Sequence, residues 1–91
     1  MYLTLPKRVL NSPLVAYANF SDGSFINLIK ISKPYANGNS YAVQENTKCV
    51  FCSNGMFKTY DQALEKFNLM IKNNLACNSD LELKDFNFLN T

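Results

Sequence analysis

Between Phe57 and Asn74 the chain reads FKTYDQALEKFNLMIKNN, and Tyr60, Ala63, Leu64, Phe67, Met70 and Ile71 recur there at steps of three and four. On a helix of 3.6 residues per turn these positions gather into one stripe. A helix with a single apolar face must lay that face on another layer, so this stretch restricts the fold more than any other. Thr59 stands before it and Gln62 three residues on, the spacing of a capping box in which the hydroxyl accepts a first-turn N–H and the amide reaches back. Asp61 and Glu65 in the early turns and Lys72 in the last suit the helix dipole. Asn73-Asn74 is the expected stop, since Asn tolerates the left-handed backbone that ends helices. The helix is expected over about 59–74.

The layer that receives it reads as strands. Leu14–Phe20 (LVAYANF) and the following FINLIKIS, from Phe25 to Ser32, flank Ser21-Asp22-Gly23-Ser24, turn chemistry that predicts an antiparallel hairpin. Leu14, Ala16, Ala18 and Phe20 are expected on one face. In the second strand Ile26/Leu28 compete with Phe25/Ile29/Ile31 for the core, which predicts a central strand covered in part on both faces. Lys33–Ser40 (KPYANGNS) is expected as a loop with Tyr35 exposed at its middle. Extended character resumes at Tyr41–Gln44 and Lys48–Cys52, with Glu45-Asn46-Thr47 as a turn, a bulge or the polar centre of one long strand, and Ser53-Asn54-Gly55 as a turn into the helix. Asn78–Asp80 is a linker. In the tail LELKDFNFLN, Leu81/Leu83 and Phe86/Phe88 fall out of phase. That predicts a final strand with a bulge, favoured over a short helix capped by Ser79 and Glu82. Ahead of the hairpin, Tyr2–Leu5 is expected as a short extended piece, Pro6 as a break or an edge, and Ser12-Pro13 as punctuation. The expected fold is one α+β domain over 1–91: two layers, an antiparallel meander of three to five strands packed on one amphipathic helix.

A chain of 91 residues buries roughly 60–65% of the surface that its unfolded form exposes, enough for one modest core. Its 47% hydrophobic content, with seven Phe and five Tyr, lies well away from the composition of disorder. No apolar run approaches the roughly 20 residues of a membrane span, and Pro6, Lys7, Arg8 and Pro13 break the amino-terminal stretch. A cytoplasmic location without membrane contact is expected.

The formal charge of +2 is small for a dedicated nucleic-acid binder. Its distribution is uneven. Through Tyr60, Lys7, Arg8, Lys30, Lys33, Lys48 and Lys58 stand against Asp22 and Glu45, whereas from Asp61 onward three lysines face five carboxylates. The strand-rich half is therefore the more basic one. The chain contains no His, which removes the commonest general base and zinc ligand and excludes His-assisted Ser or Cys nucleophiles.

Cys49-Val50-Phe51-Cys52 closing on a Gly-containing turn has the form of half a zinc knuckle, but only Cys77 remains as a further thiolate, short of a tetrahedral set. Small apolar side chains in a sheet account for these cysteines, and neither a metal nor a cofactor is expected. Asp61 and Glu65 lie one turn apart as a paired acid and base would, yet the helix dipole explains both. Gly23, Gly38 and Gly55 are isolated in turns, so no phosphate loop is formed. No catalytic residue is assigned and the chain is expected not to be an enzyme. The candidate binding residues are Lys30, Lys33, Tyr35, Asn37, Tyr41 and Lys48, which would combine charge, aromatic area and amides around the 33–40 loop.

In its size, its Met-initiated compactness and its meander followed by FKTYDQALEKFNLMI, the chain resembles the small inhibitor proteins of phages and mobile elements, anti-CRISPR proteins among them. Those inhibitors share no common fold, so no residue role carries over. The resemblance implies a stoichiometric inhibitor, acting in the host cytoplasm, that occupies a host protein or ribonucleoprotein complex of nucleic-acid-targeting defence. Two other readings stand beside it. One is a small nucleic-acid-binding regulator using the basic half of the sheet. The other is a homo-oligomeric structural or assembly protein joined through a sheet edge, so that both monomer and homodimer remain open.

Overall fold

The computed structural model describes residues 6–47 and 55–89. Its elements in chain order are α1 (Lys7–Leu10), β1 (Leu14–Phe20), β2 (Phe25–Lys30), β3 (Tyr41–Asn46), β4 (Gly55–Phe57), α2 (Tyr60–Cys77) and β5 (Leu83–Phe88). The strands form one antiparallel sheet in the order β4-β3-β2-β1-β5. With α2 on one face, this is the two-layer α+β fold that the sequence predicts. The expected extended pieces at Tyr2–Leu5 and Lys48–Cys52, and the Ser53-Asn54 turn, lie outside the described residues.

β1 and β2 pair across the Ser21–Ser24 turn, where Gly23 takes φ +88° and Asp22 Oδ1 accepts the Ser24 N–H at 2.9 Å. β2 is the middle strand of the five. Its alternation resolves the two competing apolar sets: Ile26 and Leu28 join the core under α2, while Ile29, with Ile31 just beyond the strand, joins a second cluster on the opposite face. β3 carries Glu45 and Asn46 within the strand, and β5 is a strand. The register of β5 against β1 shifts between Asn19 and Phe20, which face Asp85 and Leu83. That is the bulge expected from the phase change in the tail.

β1 departs from the expected pattern at its start. Leu14 faces Ile29 and Ala16 faces Leu28, so the strand carries an extra residue there. Leu14 consequently packs with the far-side cluster and Val15 with the core under α2. Leu14 does not share a face with Ala16, Ala18 and Phe20.

α2 begins as its sequence requires, with the Gln62 N–H donating to Thr59 Oγ1 at 3.2 Å. It does not stop at Asn74. The helix continues to Cys77, and Asn74 lies inside it, buried, with its Nδ2 donating to Ser24 Oγ at 3.4 Å. A tertiary partner in the hairpin turn thus replaces the local role that Asn would take at a helix end, and Leu75 gains a place against the core. Lys72 is correspondingly not in the last turn. The same hairpin turn holds the start of the β5 segment: the Ser21 N–H donates to Glu82 O at 2.9 Å, and the Glu82 N–H returns to Ser21 Oγ at 3.0 Å.

The far face of the sheet is closed at one end by α1, a single helical turn after Pro6 that the sequence reading did not foresee. Val9 packs there against Ile29, Ile31 and Ala42. Ser12 fastens this cap, donating from Oγ to Arg8 O at 2.8 Å and accepting the Ser32 N–H at 3.0 Å. No helix among the described residues is long and apolar enough to cross a membrane.

Candidate functional site

An open cleft of about 600 Å³ with mixed chemistry lies between the β4 edge and one flank of α2. Its apolar lining is Met56, Phe57 and Leu69; Asn39, Lys58, Gln62, Glu65 and Lys66 supply the polar part. Helical periodicity explains the grouping, because positions 62, 65, 66 and 69 fall on the side of α2 turned from the core stripe. Leu69 is 48% exposed, a high value for a leucine standing beside two other apolar side chains.

The 33–40 loop contributes Asn39 to the lining. It is internally bonded: the Tyr35 N–H donates to Asn39 O at 3.0 Å, the Gly38 N–H to Tyr35 O at 2.9 Å and the Asn39 N–H to Asn37 Oδ1 at 3.0 Å. Gly38 takes φ +97°, and a Cβ placed on it would lie 3.7 Å from the Lys58 side chain. The aliphatic stem of Lys58 therefore crosses the loop on its way to the cleft, while the Ser40 N–H donates to Phe57 O at 2.9 Å and ties loop to strand.

Of the residues singled out from sequence, Lys30 and Tyr41 are register partners at the two ends of the stretch that holds Lys33, Tyr35 and Asn37. Lys30 ends β2 exposed, opposite Tyr41 in register. Tyr41 is half-buried and meets the Tyr60 ring edge-on at 5.8 Å, so it seats the start of α2. Tyr35 is not the exposed loop residue expected. It is half-buried against the far-side cluster, with the Arg8 guanidinium 4.5 Å from its ring centroid. The ring serves α1 rather than an outside surface. Lys33 and Asn37 are exposed in the loop, with the Asn37 side chain shaping the turn. Lys48 lies outside the described residues, as do Cys49 and Cys52, while Cys77 is exposed at the end of α2. Among the described residues no three Cys, Asp or Glu side chains gather where they could hold one metal ion.

The cleft was legible in one respect. Leu69 falls outside the apolar stripe of an otherwise amphipathic helix, and an apolar residue on the polar side is a signal of contact. Met56 and Phe57 gave none, because a three-residue edge strand has no pattern of its own. Beyond the cleft, the end of the far sheet face away from α1 carries a cross-strand row of Asn87, Tyr17, Asn27 and Gln44, in which Asn27 Nδ2 donates to Gln44 Oε1 at 3.2 Å.

No protein-family model, curated protein or solved structure matches this chain.

Proposed function

We propose that the chain is a non-enzymatic protein-binding module whose contact surface is the cleft between β4 and α2. The observation that carries this reading is the chemistry of the cleft: apolar Met56, Phe57 and Leu69 line it together with polar and charged side chains, the mixture found in protein interfaces that take an anchor side chain. Its charged groups, Lys58, Glu65 and Lys66, are of both signs. A surface that tracks phosphates carries one sign, so the fitting occupant is a protein segment with an apolar anchor side chain beside a carboxylate. The sign mixture favours this over the nucleic-acid reading.

The finer form of the proposal is stoichiometric inhibition of a host nucleic-acid-targeting complex by a phage or mobile-element protein. It is supported by the resemblance in size and layout and by a binding surface that needs no cofactor. The test is capture on tagged chain from host lysate, with and without nuclease, comparing the natural sequence with Leu69→Asp. A protein retained after nuclease and lost with Leu69→Asp supports the proposal. If it belongs to a nuclease complex, that complex should lose activity at one equivalent of added chain. Nucleic acid recovered in place of protein, or a protein that binds Leu69→Asp equally well, overturns it.

A further inference from the structure

β5 closes the sheet on the side that α2 leaves open. The helix packs chiefly on β2, β3 and β4, so the α2-side face of β1 and β5 is covered mainly by what those strands bring. β1 brings Ala16 and Ala18, and opposite them β5 brings Phe88 and Phe86. The two phenylalanine rings meet edge to face at 5.2 Å, and Phe67 of α2 lies 6.1 Å from one and 6.2 Å from the other. Even so, Phe86 is 41% and Phe88 45% exposed.

Among the described residues β5 has a strand on one side only. The Leu89 N–H donates to Val15 O at 2.7 Å, which turns the backbone groups of Asp85, Asn87 and Leu89 toward β1 and those of Phe86 and Phe88 outward. An unpaired edge flanked by apolar rings is a template for another strand. The opposite edge, β4, has three described residues.

We propose that a second copy of the chain occupies this edge, β5 against β5 in antiparallel register about a two-fold axis at Phe86. The pattern of β5 is self-complementary at that axis. Phe86 meets its twin with both sets of N–H and C=O groups aimed across the gap. Asp85 then faces the other copy's Asn87, a carboxylate opposite an amide donor, and symmetry makes this pair twice. An axis at Asp85 would oppose two carboxylates, and one at Lys84 two ammonium groups, both unfavourable. A foreign strand would have no need of a pattern that matches itself. The product is one continuous sheet with both α2 helices on the same side, and the Phe86 and Phe88 rings of both copies fill the space between them. This assembly stands whether or not the β4–α2 cleft takes a partner.

The mass of the full chain in solution, followed by sedimentation or light scattering over a wide range of concentration, tests the assembly. A dimer of twice the 10.3 kDa chain mass is expected, and Phe86→Glu should leave a monomer. Asn87 is exposed, so its variants should keep the fold, as circular dichroism would verify, even if Phe86→Glu does not. Asn87→Asp sets like charges opposite Asp85 twice and should weaken the dimer about fivefold, whereas Asn87→Lys should tighten it by a similar factor at low salt. A monomer at every concentration overturns the proposal, whether another segment of the chain or a foreign strand covers the edge. So does a dimer indifferent to both Asn87 variants, or one that both variants weaken, which would place the axis at Asn87.

Discussion

A helix-interior asparagine gives up helix propensity, and a buried one also needs partners for its amide. Asn74 meets the second demand through Ser24 Oγ, which in turn donates to Asp22 Oδ1 within the hairpin turn. The amide thereby joins α2 to the β1–β2 connection. Replacing it with Ala removes one hydrogen bond and leaves a small void, so Asn74→Ala should lose about 1–2 kcal/mol in urea unfolding, with Asn73→Ala within about 0.5 kcal/mol of the natural chain. Local preference read the Asn73-Asn74 pair as a stop because Ser24 lies fifty residues away in sequence and leaves no trace beside it. Tyr35 misled for the same reason: nothing around it in sequence announces that the Arg8 guanidinium will lie over its ring.

At the level of elements the sequence was most readable where periodicity and punctuation agree. β1 was placed from its flanking Pro and turn residues, and the start of α2 from Thr59. Thr59→Ala should cost about 1 kcal/mol, measurable as a lowered thermal midpoint, because the Gln62 N–H then has only water to satisfy it. The tail was readable as a bulged strand because its two apolar pairs are out of phase, and the bulge at Lys84 restores both to the α2-side face. What periodicity cannot carry is an extra residue inside a strand that is apolar on both sides. LVAYANF looks the same with or without one, so the turning of Leu14 to the far face was hidden. α1, a single turn, is too short to show a helical period at all.

For the molecule as a whole, coverage grades from the middle of the sheet outward. β2 is packed on both faces, by α2 and by the α1 cluster, whereas every residue of β5 is exposed to some degree. Native-state hydrogen exchange should therefore show the slowest amides in β2 and its contacts with β3, and opening of β5 at a free energy well below the global value. Uniform protection across β1 and β5 would contradict that gradient in dilute solution. The candidate site follows the same logic of coverage. Of the residues chosen from charge, aromatic character and amides, the described ones (Lys30, Lys33, Tyr35, Asn37 and Tyr41) lie in the loop and at strand ends, while the cleft arises from the offset between a short edge strand and a long helix, which only packing defines.

Strand order also has a consequence for biosynthesis. Ala16 pairs with Phe88 and Ala18 with Phe86, so the outer side of β1 waits for a partner that leaves the ribosome only after nearly all the intervening chain. At roughly 5–20 residues per second, β1 and β2 can form their hairpin several seconds before β5 is synthesised. During that interval the nascent chain presents the edge of β1 in place of the edge of β5. A ribosome stalled just ahead of Leu83 would hold the protein in that state, with Ser21 still lacking its tie to Glu82.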